Sequence, residues 1–196
     1  MKIFALLLAT LMSCAVWGQS FKKSICEHRK TYKEAFKEEG SPLKPEEIRY
    51  LRFFKPDEDY RVTATFTRTP DEQPFDMITS SGMMKKYVKY GELSFEIKGE
   101  THTLEVYQSI RLRATPQYKD YLFIPFKDTT NGTTTYGAGR YLDIEIPDIQ
   151  DGKLVLDFNK AYNPYCAFSD GYNCPRPPAA NHLRIAIEAG EKKYGK

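Results

Sequence analysis

The sequence predicts a mainly β protein, an antiparallel sandwich or barrel with one or two N-terminal helices. From residue 60 onward, apolar and polar side chains alternate in short runs, the period of a strand with one buried face. Turn residues divide these runs and no long helical pattern interrupts them, which favours antiparallel pairing. At 196 residues, with 41% hydrophobic side chains, the chain is long enough for one sizeable core.

The first 18 residues have the layout of an export signal. A lone Lys2 is followed by an apolar run from Ile3 to Trp17 and then by small residues. Cleavage after Gly18 predicts a single soluble β-rich domain over residues 19–196, periplasmic or extracellular. The alternative is a lipoprotein signal cut before Cys14, which predicts a lipid anchor to the envelope. No later segment reaches the roughly 18 apolar residues of a membrane helix.

Two helical segments are predicted before the strands begin. Apolar residues recur at helical spacing over about residues 21–39, from Phe21 through Ile25 and Tyr32 to Phe36, and Gly40 provides a stop. A second helix is predicted from Lys44 to Ile48, because proline at the first helical position and acids in the first turn suit a helix start.

The strand candidates follow a turn at Lys55-Pro56-Asp57. A hairpin is predicted over Glu92–Lys98 and His102–Tyr107, which Gly99-Glu100 connects. The segment from Phe75 to Lys89 is predicted as a loop plus a strand. The remaining candidates are Tyr60–Thr67, Ile110–Arg113, Tyr121–Phe126, Arg140–Ile146, Lys153–Phe158 and Leu183–Ile187.

Several unusual sequence motifs occur in one order along the chain: Leu51–Phe54, Tyr60–Val62, Tyr90–Phe95, Leu122–Asp128, Thr135–Leu142, Asp157–Asn181 and Gly190–Lys192. Together they resemble the bacterial and archaeal domain of unknown function family 1684. The resemblance covers about residues 41 to 193, and it implies no established reaction, cofactor or substrate. The sequence departs from the family pattern at Tyr165, where a second proline often follows Pro164, and at His182, where arginine is usual.

The segment Asp128–Tyr141 offers two interpretations. Gly137 and Gly139 let the backbone approach another group, so exposed amides beside Arg140 could receive an anion. The other interpretation is a glycine-bent hairpin in which Arg140 pairs with an internal acid, Asp128 or Asp157. The spacing lacks a third glycine and a phosphate-loop lysine, so no nucleotide or other cofactor is predicted.

Cys166 and Cys174 predict a disulfide in an exported protein. A metal site formed with His182 is the alternative, although the spacing is wider than in a zinc knuckle and no fourth ligand is evident. No metal is therefore assigned. Cys26, on the first helix, is expected to pack as a small buried apolar residue.

Composition and loop chemistry favour binding of a small polar or sugar-like ligand. The formal charge of +3 gives no electrostatic case for nucleic acid. Polar and aromatic residues gather in the irregular segments, where binding groups are often displayed. The predicted ligand-binding residues are Tyr136, Arg140, Asp157, Asn159, Tyr162 and Asn163.

Two other functions stay open. Asp128 and Asp157 are the candidate acid and base of a hydrolase, because glycoside hydrolysis needs paired carboxylates. The third possibility is an envelope structural or interaction protein without a pocket. The sequence does not decide the substrate, the oligomeric state or whether the protein is an enzyme.

Overall fold

One curled sheet organises the molecule. The structure is a computed structural model and describes residues 20–195; the predicted export signal lies outside them. Seven antiparallel strands form a half-barrel, which confirms the mainly β prediction. Their order across the sheet is β6-β5-β4-β3-β1-β7, and β2 pairs with the first part of β3. The strands are β1 Arg61–Arg68, β2 Phe75–Ile78, β3 Met84–Ile97, β4 Glu100–Ser109, β5 Tyr121–Phe126, β6 Arg140–Glu145 and β7 Lys153–Asp157.

A helix precedes the sheet. This helix, α1, spans residues 20–35 and so ends a turn earlier than predicted. The second predicted helix is a 3-10 helix, Pro45–Tyr50. Within residues 20–195 no helix is both long and apolar enough to cross a membrane. Further short 3-10 helices are Glu58–Tyr60, Leu112–Ala114, Pro116–Tyr118, Ile146–Asp148, Phe158–Lys160, Tyr165–Ala167 and Ala179–Asn181.

The expectation that Cys26 is buried is wrong. Phe21 and Ile25 of α1 are buried, whereas Cys26 is exposed. Successive helical residues are rotated by about 100° around the axis, so the neighbour of a buried residue leaves the buried face.

Two predicted strands do not form. The stretch Ile110–Arg113 enters a turn, because β4 ends at Ser109 and its hydroxyl accepts a hydrogen bond from the Leu112 amide at 3.3 Å. The stretch Leu183–Ile187 is irregular, although it runs beside the end of β5. The Leu183 amide bonds the Lys127 carbonyl, but the Ile187 amide bonds a side chain instead of a neighbouring strand.

Apolar side chains cover both faces of the sheet. The inner face holds the main core, in which Leu93, Leu104, Leu122 and Leu156 are almost fully buried. The outer face carries an aromatic cluster, which consists of Met77, Tyr87, Tyr107, Phe123 and Tyr141, with Phe75, Tyr121 and Tyr162 packed against it. Tyr141 and Tyr162 of this cluster also border the candidate site described below.

An asparagine side chain bridges a gap between two strands. β4 and β5 are in register at a single pair, Tyr107 with Phe123, and Pro125 has no amide to donate. The buried Asn181 amide group replaces the missing ladder bonds. It accepts from the Glu105 amide at 2.7 Å and donates to the carbonyls of Glu105 and Pro125 at 2.9 and 2.8 Å.

Candidate functional site

A large cleft lies beside the two edge strands of the sheet. We call it the edge cleft; it is bordered by Tyr141–Ile144 of β6, Leu154–Asp157 of β7, the α1 residues His28 and Tyr32, Phe36 just after α1, and part of the loop 162–175. Its volume is about 1050 Å³. This is the size of a small-molecule site rather than a surface dimple. The half-barrel does not close, so its edge strands β6 and β7 do not pair with each other. The edge cleft lies beside this opening.

The Asp143 carboxylate is held in the edge cleft by two tyrosines. The Tyr121 hydroxyl donates to Asp143 Oδ1 at 2.7 Å, and the Tyr162 hydroxyl donates to Oδ1 and Oδ2 at 2.9 and 2.8 Å. Two hydroxyl protons fill only part of the roughly four acceptor sites of a carboxylate. Asp143 is exposed and therefore keeps acceptor capacity for a ligand in the cleft.

The surroundings of Asp143 set its protonation. The cleft walls reduce its solvation and raise the pKa of Asp143, and the hydrogen bonds from Tyr121 and Tyr162 oppose this rise. Burial and the nearby carboxylate raise the pKa of both tyrosines well above the usual value. Both phenols therefore remain protonated donors, and the carboxylate has a fixed orientation.

Asp157 borders the cleft beside β7. Its Oδ1 accepts from the Asn159 amide at 3.0 Å and from Asn159 Nδ2 at 2.9 Å, and Arg61 Nε lies 3.9 Å from Oδ2. The pKa of His28 is lowered by burial and then by the Lys160 charge, so its imidazole is neutral at pH 7. At this end of the cleft, the neutral His28 ring lies near the Asp157 carboxylate, whose Oδ1 already accepts hydrogen bonds from Asn159.

Arg140 is sealed inside the protein. Its guanidinium donates to Asp128 Oδ2 at 2.9 Å and to the Ile187 carbonyl at 2.8 Å, and it also contacts the carbonyls of Ala189 and Glu191. Both side chains of the Arg140–Asp128 pair have no exposed area. This geometry matches the interpretation in which Arg140 pairs with an internal acid.

The other predicted site residues fall into two groups. Asn159 and Asn163 are buried and bond the backbone: Asn159 Nδ2 donates to the Asp57 carbonyl, and Asn163 Nδ2 donates to the Lys192 carbonyl. Tyr162 borders the edge cleft, as Asp157 does, whereas Asp128 does not. Of the two carboxylates predicted for a hydrolase, Asp157 borders the cleft and Asp128 does not. The hydrolase stays a prediction.

Glu191 connects the C-terminal segment to the wall of the cleft. Its Oε2 accepts from the Tyr32 hydroxyl at 2.9 Å and from the Asn163 amide at 2.8 Å, while the buried Oε1 has no hydrogen-bond partner among residues 20–195. Burial raises the pKa of Glu191 to about 7, although the hydrogen bonds from Asn163 and Tyr32 lower it. Tyr32 belongs to α1, so this carboxyl group helps to hold α1 beside the cleft.

The predicted disulfide is confirmed. Cys166 and Cys174 are bonded to each other, so neither sulfur is a thiolate ligand for a metal. The bonded loop borders a second concavity of about 720 Å³, where Tyr136 lies, with its hydroxyl donating to the Cys166 carbonyl at 3.2 Å. Cys174 and Pro175 border both concavities, as Tyr141 and Pro164 do.

The sequence analysis missed two acids, Asp143 of the edge cleft and the buried Glu191. Strand alternation places Tyr141, Asp143 and Glu145 on one face of β6, opposite Arg140, so the pattern alone could have directed attention to Asp143. Its contact with Tyr162 depends on the return of the chain after β7. Glu191 gave no signal beyond its place in a recurrent motif.

The comparison with protein families decides what kind of chain this is. The model described as "Protein of unknown function (DUF1684)" matches residues 46–192. The chain belongs to this family. The matched DUF1684 region contains all seven strands, Asp143 and Glu191, whereas α1 precedes it.

A solved structure shares the DUF1684 fold of this chain. It is the solution NMR structure of an uncharacterized protein from Haloarcula marismortui, with 36% sequence identity and a TM-score of 0.68. The match covers 89% of this chain and 95% of that chain. None of the curated proteins compared with this DUF1684 chain is significantly similar to it.

Replacement of Arg140 tests whether its network is structural in this DUF1684 protein. Arg140→Ala leaves the Asp128 carboxylate buried without its partner, so the free energy of unfolding should fall by about 3–5 kcal/mol. Arg184→Ala removes an exposed arginine and should change it by less than about 0.5 kcal/mol. Urea unfolding measures both. Equal effects of the two substitutions would contradict a structural role for Arg140.

Glu191 should make stability depend on pH. The raised pKa means that the folded protein keeps this proton between pH 4.5 and 7, where the unfolded chain loses it. The free energy of unfolding should therefore fall as pH rises through this window, by roughly 3 kcal/mol. Glu191→Gln should flatten the slope measured by urea unfolding, and Glu188→Gln, an exposed control, should keep it. A slope unchanged in Glu191→Gln would assign the proton to another group.

Proposed function

We propose that this DUF1684 protein is exported and binds a small, hydroxyl-rich ligand such as a sugar in the edge cleft. The observation that carries the binding proposal is the exposed Asp143 carboxylate, which Tyr121 and Tyr162 orient while leaving it acceptor capacity. A ligand hydroxyl is the donor that such a carboxylate lacks.

Aromatic rings around Asp143 support the choice of a sugar-like ligand. Tyr162 packs edge-on against Tyr141, with ring centroids 5.8 Å apart, and both border the cleft. Tyr32 and Tyr165 add further aromatic surface to the walls. Sugar rings present apolar C–H faces together with hydroxyls, so they match a cleft in which phenol rings surround a fixed carboxylate.

The proposal of export rests on two independent features. Residues 1–18 have the layout of an export signal, and the Cys166–Cys174 disulfide suits an oxidising compartment. Lipid anchoring at Cys14 remains the alternative route to the envelope. N-terminal sequencing of protein from the native host should find a chain that begins at Gln19. A chain that retains Met1 would contradict export by this signal.

Replacement of Asp143 tests the binding proposal. We expect the protein to bind at least one of the neutral disaccharides maltose, lactose and cellobiose in isothermal titration calorimetry. Asp143→Asn removes the charge but keeps the shape, so it should weaken binding by about tenfold or more. Tyr162→Phe, which leaves Asp143 with one tyrosine donor, should weaken binding by a smaller factor.

Asp76→Asn is the matched control for this experiment. Asp76 is an exposed strand carboxylate that pairs with Lys86 at 3.0 Å and does not border the edge cleft. Its replacement should leave disaccharide affinity unchanged. Absence of binding to all three sugars, or equal affinity of the Asp143→Asn and Asp76→Asn variants, would overturn the proposal.

A further inference from the structure

The second concavity has the chemistry of a separate site. We call it the proline groove; it is bordered by Phe75–Ile78 of β2, the turn residues Tyr136–Ala138, Lys127 and the segment Pro175–Ala179. Its volume is about 720 Å³. The buried side chain of Met77 and three prolines of the bordering segment give it an apolar lining. An apolar body of small-molecule size fits such a lining.

Two cationic side chains border the proline groove without a carboxylate partner. Neither Lys127 nor Arg176 forms an ion pair within the part of the chain that the structure describes. Asp76, an acid at the border, is already paired with Lys86 at 3.0 Å. The groove therefore has an excess of positive charge that the described protein groups do not neutralise, which favours an anion.

Main-chain amides add donors beside these cations. The Gly139 amide bonds the Tyr136 carbonyl at 3.1 Å, which closes a turn with Gly137 and Ala138 at its centre. Within residues 20–195, the amides of Gly137 and Ala138 have no hydrogen-bond partner. Gly139 has φ +102°, and a Cβ there would lie 2.6 Å from the Phe126 carbonyl and 2.8 Å from Pro177. Only glycine lets the turn approach the proline segment this closely.

We propose that the proline groove binds an anionic head group, a carboxylate or a phosphate, carried on a small apolar body. Lys127 and Arg176 supply the charge that attracts the head group, and the Gly137 and Ala138 amides supply donors for its oxygens. The apolar body lies against Met77 and the prolines. This site differs from the edge cleft in its charge and in its lining, and it does not depend on sugar binding there.

NMR titration of the ¹⁵N-labelled protein tests this site. Benzoate and phenyl phosphate are the probes, and benzyl alcohol is a neutral analogue with the same ring. We expect one or both anions to shift the Gly137 and Ala138 amide signals, whereas benzyl alcohol should not shift them at the same concentration. Inorganic phosphate should bind more weakly than phenyl phosphate, because it lacks the apolar body.

Charge removal identifies the residues responsible. The double variant Lys127→Gln/Arg176→Gln should bind the anionic probe about tenfold or more weakly, while Arg184→Gln, which removes an exposed charge outside the groove, should bind it within about twofold of the parent protein. Thermal unfolding verifies that each variant is folded. The proposal is overturned if neither anion shifts the two amides, if the double variant keeps full affinity, or if benzyl alcohol binds as well as benzoate.

Discussion

The buried charge of Arg140 is the constraint on which the rest of the structure depends. A guanidinium without exposed area must be satisfied by protein groups, since an unpaired buried charge costs several kcal/mol. Asp128 neutralises it, and three carbonyls between Ile187 and Glu191 accept further hydrogen bonds, while Nε has no partner among residues 20–195. These contacts help to fix a C-terminal segment that lies outside the named strands and forms an isolated bridge between Glu191 and Phe53. Glu191 then connects this network to Tyr32 of α1, which borders the cleft. The position of the cleft wall therefore depends on contacts in the core.

Asparagine side chains perform a related role where the sheet is incomplete. Asn181 bridges β4 and β5, Asn159 pairs with the backbone of Asp57, and Asn163 holds the Lys192 carbonyl. A side-chain amide has both a donor and an acceptor, so it can replace a peptide group in a ladder without a regular strand. The stretch Leu183–Ile187 has the alternation of a strand, but its backbone groups bond the Lys127 carbonyl, the Thr129 amide and the side chains of Asp128 and Arg140. Its irregular path follows from these contacts.

Local pattern predicted most of the fold and little of the site. The bounds of β5 match the prediction, because a run buried on both faces is bordered by clear turn residues, and the disulfide followed from two cysteines close in sequence. Asp143 was not predicted as a site residue, because its partners Tyr121 and Tyr162 lie on β5 and after β7 and are distant from it in sequence. The polar loop residues Asn159 and Asn163 suggested binding, yet they are buried, since sequence shows residue type but not which backbone groups need a partner.

The Cys166–Cys174 disulfide has a consequence for both concavities. Cys174 and Pro175 border the edge cleft and the proline groove alike, and the bond to Cys166 restrains the backbone beside them. A substitution at Pro175 therefore changes the lining of both surfaces at once. Residues that border a single concavity, such as Asp143 for the edge cleft and Arg176 for the proline groove, are the positions at which the two surfaces can be altered independently.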